Sequence, residues 1–191
     1  MTQHSPTRRN ILFTGTQTLS AAGLMAMMGS SAASAYQGSD NPAQDVQLLN
    51  AAIALEHEGI AAYTIAAGSG LLTPDVTEIG VRFRGHHREH RDALASAVTA
   101  LGGTPVETES EAHYVEALGV ASLANQADVL RLALGLETGA ANAYLGLIPS
   151  LSTAEQHQLA AQMAGDEAYH AAILGHALGE PIPVAGMMFG G

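Results

Sequence analysis

Three glutamates and three histidines recur in this sequence at helical spacings. Glu56 is followed seven residues later by Tyr63, and Glu137 seven residues later by Tyr144. His87 and His90 stand three apart, as do Glu167 and His170. Glu137 lies 81 residues after Glu56, and His170 lies 80 after His90, so the two halves read as copies of one unit. Residues three apart on a helix project from the same face. Such a pair can chelate one ion or two neighbouring ions. Carboxylate oxygen with imidazole nitrogen suits iron, manganese, zinc or copper, without choosing among them.

Four helices have to position these groups. Asn41 and Pro42 open the first, which runs to about Ala67 and stops at Gly68, Ser69 and Gly70. Thr73 offers an N-cap for the second, with Pro74 at its first position, and Gly102 and Gly103 end it. The third begins near Gln126 and breaks at Pro149. Ser152 and Glu155 form a capping-box pattern for the fourth, which continues to about Gly179 before Pro181 and Pro183. Short turns make antiparallel hairpins of helices one and two and of helices three and four. Residues 104–125 between the hairpins are too many for a plain loop in a compact domain. They read as one long crossover along a bundle, and its acidic residues Glu107, Glu109 and Glu111 as solvated surface.

The ionisable residues stand where apolar ones belong. The second helix's inner stripe reads Phe83, His87, His90, Leu94, Ala97, Leu101, and the fourth's reads Met163, Glu167, His170, Leu174. On the third, Leu130, Ala133, Glu137, Ala141 and Tyr144 share a face. Buried carboxylates and imidazoles are costly unless paired or bound to metal. His57, His86, His113, His157 and His176 fall off these stripes and are expected at the surface. Glu58 is expected to be a solvated neighbour of Glu56.

The stretches LNAAIALEHEGIAAY, HHREHRDALASAVTALGG, LALGLETGAANAYLGL and AGDEAYHAAIL resemble the ferritin-like superfamily of carboxylate-bridged metal bundles. The likeness extends to exported ferritin-like domain proteins and to the bundle domain of rubrerythrins, without their rubredoxin module. It implies an all-α, ferritin-like four-helix bundle of two antiparallel hairpins joined by one long crossover. It also implies Glu56 and Glu137 as terminal ligands, His90 and His170 as imidazole ligands and Glu167 as a bridge. Tyr63 and Tyr144 would orient carboxylates from behind. One position departs: His87 stands where the family has a glutamate. That leaves three carboxylates rather than four, which opens a single ion or a mixed pair as an alternative to two matched ions.

Composition bounds the function. The chain has 191 residues, seven arginines, no lysine, eighteen acidic residues and a formal charge of −11. That argues against a nucleic-acid backbone as partner. No cysteine is present, which excludes disulfides, thiolate-held zinc and iron–sulfur clusters. Arg8 and Arg9 precede a Gly-diluted apolar stretch and then Ala33, Ser34 and Ala35. This is the pattern of a twin-arginine signal peptide over residues 1–35, cleaved near Ala35. The expected domain then covers residues 36–191, exported to the periplasm through the twin-arginine machinery and without stable membrane insertion after cleavage. The expected function is metal binding, by two iron or manganese ions with zinc or one ion as alternatives. Oxygen or peroxide oxidoreductase chemistry or metal handling would follow, with the catalytic residues unassigned and a homodimer open. The competing expectation is a non-enzymatic scaffold or envelope stress module, with a structural metal or none.

Overall fold

A computed structural model of the chain describes residues 41–190. The expected signal segment, residues 1–35, lies outside them. The described residues contain five α-helices and no strand: α1 (Pro42–Gly68), α2 (Pro74–Ala100), α3 (Glu111–Ala117), α4 (Gln126–Leu147) and α5 (Ala154–Ala177). Short 3-10 turns occupy Val120–Ser122 and Ile148–Ser150. None of these helices is long and apolar enough to cross a membrane.

Local chemistry sets most helix ends. The Asn41 side chain accepts from Gln44 N at 3.2 Å, and Pro42 takes the first helical position of α1. The capping box of α5 is one residue later than expected: Thr153 with Gln156, not Ser152 with Glu155. Ser152 instead ties the two hairpins together, accepting from Asn41 N at 3.2 Å and donating to buried Asp45 at 3.1 Å. Thr73 does occupy the N-cap position of α2, but its side chain makes no cap hydrogen bond. Its backbone N donates across the bundle to Gln126 at 2.9 Å.

Helices α1 and α2 pack as one hairpin, and α4 and α5 as the other. The apolar core falls into two clusters with polar residues between them along every long helix. One contains Leu49, Ile53, Leu94, Val98, Tyr144, Leu147 and Met163. The other contains Tyr63, Phe83, Leu130 and Leu174. Helix α2 ends at the first cluster and α4 begins at the second, so the crossover must run the length of the bundle. It is not structureless: α3 buries Tyr114, and Leu118 is buried just beyond. Asn50 of α1 clips its start, donating to Thr104 O at 3.0 Å and accepting from Val106 N at 2.8 Å. Gly103 is required at the bend, because a Cβ there would lie 2.6 Å from Val46 Cγ1.

Candidate metal centre

The polar layer between the clusters gathers six side chains. Glu56 comes from α1, His87 and His90 from α2, Glu137 from α4, and Glu167 and His170 from α5. All six are buried, with Glu167 and His170 fully excluded from solvent. Their atoms form two overlapping groups, Glu56–His87–His90–Glu167 and His87–Glu137–Glu167–His170. Within each, one ligand atom per residue lies within 4.8 Å of the others. His87 and Glu167 belong to both.

His87 faces both groups with different atoms. Its Nδ1 lies 2.7 Å from Glu56 Oε2, and its Nε2 lies 3.3 Å from Glu137 Oε1. Gly59 makes room for the ring, since a Cβ there would come within 3.0 Å of it. His90 Nδ1 lies 3.1 Å from Glu167 Oε1. His170 Nδ1 lies 3.3 Å from Glu137 Oε2. Each tyrosine reaches across to the other hairpin: the Tyr63 hydroxyl donates to Glu137 and the Tyr144 hydroxyl to Glu56.

Charge shapes the layer. Burial alone would discharge His87, but hydrogen bonds with Glu137 and Glu56 hold its pKa well above the ordinary imidazole value. Burial opposes the charge on His90 too, yet Glu167 and Glu56 raise its pKa to about 10. His170 is raised against the same burial by Glu137 and Glu167. Burial would raise Glu56, but hydrogen bonds from His87 and His90 leave it below the usual carboxylate value. Glu137, likewise buried, is held well below it by its hydrogen-bonding neighbours, His170 and His87 among them. Glu167 goes the other way, raised by burial and by the adjacent Glu137 carboxyl. Burial and a neighbouring carboxylate raise both tyrosines as well. They therefore remain hydroxyl donors.

One atom in the layer is left over. Glu167 Oε2 is buried and has no hydrogen-bond partner; His170 Nδ1, 3.3 Å away, is not in hydrogen-bonding geometry. A buried acceptor without a donor is costly. A cation between the two groups would satisfy it and separate the Glu137 and Glu167 carboxyls. The donor set therefore fits a metal.

All six expected ligand positions come together, and both tyrosines contact the carboxylates. The surface expectation fails most clearly at two residues. Glu58 is only 6% exposed, because the α1 face it occupies turns toward α4. His86 is partly buried, its Nδ1 lying 2.9 Å from His170 Nε2 and its ring stacked on the His170 ring. Of the other histidines expected at the surface, His57, His113 and His157 are partly buried and His176 is exposed. Asp166, exposed and without a role in the sequence reading, sits 3.2 Å from His90 Nε2. Both were visible in the repeat: His86 and Asp166 are also 80 residues apart, each immediately before an inward residue. Their importance lies in crossing between hairpins, which spacing along one helix does not show.

Residues 44–180 match the family model for the ferritin-like domain. No curated protein matches the chain. Among solved structures, a conserved hypothetical protein, rv2844, from Mycobacterium tuberculosis is similar. It is 26% identical, with a TM-score of 0.61 over 75% of this chain and 96% of that chain.

Proposed function

The chain belongs to the ferritin-like domain family, and from that premise we propose that it binds a pair of metal ions, iron or manganese, in the layer between its two core clusters. The observation that carries the proposal is the pair of four-residue groups sharing His87 and Glu167, with Glu167 Oε2 buried and unsatisfied. Glu56 and His90 would hold one ion, Glu137 and His170 the other, and His87 and Glu167 would lie between them. Zinc or a single ion is the alternative filling of the same donors.

Bound there, a redox-active metal pair would supply redox chemistry toward oxygen or peroxide. The chain's own residues set the conditions. Tyr63 and Tyr144 orient Glu137 and Glu56 by donating to them. Asp166 and His86 fix the outer nitrogens of His90 and His170. Phe83, stacked on His170 with ring centroids 4.0 Å apart, shields that side from water.

Export rests on the sequence alone, through Arg8, Arg9 and the Ala33–Ala35 cleavage pattern. A second reading is a metal-free scaffold, supported by the ion pairs the layer makes within itself. Elemental analysis of protein purified without chelator separates the two. About two ions per chain, lost in Glu167→Ala, fits the dinuclear layer. No metal after reconstitution with iron or manganese selects the scaffold. Redox turnover in the loaded protein that disappears with the same variant assigns enzyme chemistry rather than storage.

A further inference from the structure

An apolar chamber lies beside the candidate centre. It occupies the second core cluster, under the crossover, with a volume of about 80 Å³. Ala66, Gly80, Val120, Leu130, Ala133 and Ile173 are among its walls, so every long helix and the crossover contribute. Three polar side chains reach the wall, and each hydroxyl is already committed. Tyr63 donates to Glu137, Ser69 to Ala66 O at 2.7 Å, and Thr77 to Thr73 O at 2.9 Å. Water held in a cavity needs two to four polar partners, and only acceptor lone pairs of these hydroxyls remain, so the chamber is a poor site for water.

The chamber abuts the centre. Phe83 forms part of its wall and stacks on His170. Tyr63 forms another part and lies over His87, with ring centroids 5.6 Å apart. Beyond Tyr63 and Leu136 is a smaller space of about 30 Å³ against His87 and Glu137. Tyr63 and Leu136 line both spaces, so a single thin partition separates them.

We propose that this chamber is a binding site for dioxygen-sized apolar molecules, held one partition away from the Glu137–His170 side of the centre. Size and chemistry choose the occupant. An engineered apolar cavity of roughly 150 Å³ admits benzene or xenon, and this one is about half that volume. No arginine lines it, and the chain contains no lysine, so nothing would hold a lipid headgroup or an anion. The use of such a molecule at the centre rests on the proposed metal function; its binding does not.

The test therefore uses the whole metal-free protein. Methyl resonances of Val76, Leu130 and Ile173 are followed by NMR under xenon, then under dioxygen, whose unpaired electrons broaden nearby signals. Benzene serves as the size control. The expected result is saturable xenon shifts and dioxygen broadening confined to these methyls, with no saturable response to benzene. Ala133→Leu and Ala66→Leu fill the chamber from opposite helices, and both should abolish the response. The fold of each variant is checked by its melting curve, so one that fails to fold leaves the other to decide. Absence of the response in the wild type, or its persistence in a folded filled variant, overturns the proposal, as does benzene binding as readily as xenon. Because no metal is present, none of these results depends on whether the centre takes up iron or manganese.

Discussion

The two hairpins repeat one pattern and differ at two neighbouring positions of their second helices. In the second, α5 carries Asp166, Glu167 and His170; in the first, α2 carries His86, His87 and His90 at the matching places. Two carboxylates on one side are thus two imidazoles on the other. The glutamate–tyrosine pairs did not diverge, and each tyrosine still crosses to the opposite hairpin's glutamate. The outer contacts cross as well, His90 to Asp166 and His170 to His86. One imidazole therefore leans on a carboxylate and the other on a second imidazole. The same backbone frame thus holds two different donor environments, which would favour unlike occupancy of the two groups if the layer takes up metal as proposed.

Removing the two shared residues is the sharpest way to break the comparison. Glu167→Ala should abolish metal binding in both groups, because it also removes the unsatisfied oxygen. His87→Ala should weaken binding in both groups but cost less than Glu167→Ala, since each group keeps three donors, the shared Glu167 among them. If both variants keep two ions, by elemental analysis, the layer is not the binding site.

Acidity tests the layer before metal enters. His90 has a folded pKa of about 10 against an ordinary value of 6.5. A raised imidazole contributes stability that is fully present below about pH 6.5 and lost as pH rises through 10. The metal-free protein should therefore lose on the order of a few kcal/mol over that window, read from urea unfolding at a series of pH values. Glu56 and Glu137 are depressed below 4.5, so their contribution is present above that value and fades as pH falls through the folded pKa. His90–Glu167 and His87–Glu137 link one hairpin to the other, whereas Glu56 pairs with His87 and His90 inside its own hairpin, so the alkaline loss should appear as separation of the hairpins. Metal bound as proposed would displace the proton from His90, and the alkaline loss should then vanish in the loaded protein.

The outer partners give a smaller effect. Asp166→Ala should weaken metal binding by about 10–100-fold, as loss of a partner behind a ligand histidine does. His86→Ala should cost less, because a neutral imidazole supports His170 less strongly than a carboxylate supports His90. Equal losses by competition titration would remove the asymmetry drawn between the hairpins.

The smallest contrast lies at the helix starts. Thr153→Ala should destabilise the fold by about 1 kcal/mol, since it removes the capping box of α5. Thr73→Ala at the matching start of α2 should be close to neutral, because that side chain caps nothing. Thermal unfolding of the two variants decides it.

The helices were legible because their signals are local. Asn41–Pro42, Pro74, Gly102–Gly103 and Pro149 act within one turn, and each falls at an observed end. The six inward polar residues were legible because helical period and repeat offset both single them out. The register of the α5 cap was not. Ser152 and Thr153 offer the same hydroxyl chemistry, and the choice followed from Asp45 and Asn41 claiming Ser152 across the bundle. Nor was the burial of Glu58 or the docking of His86 on His170, which depend on the rotation of one helix against another.

By itself, then, the sequence determined the four long helices, their pairing and the residue types that face inward, because period, caps and breakers act over a few residues. Tertiary structure decided which nitrogen of His87 meets which glutamate, and that Gly59 yields the space for its ring. It also decided that Tyr63 and Tyr144 reach across to the opposite hairpin and that an apolar chamber sits behind Phe83. Those outcomes depend on distances between helices far apart in the chain, which no local pattern encodes.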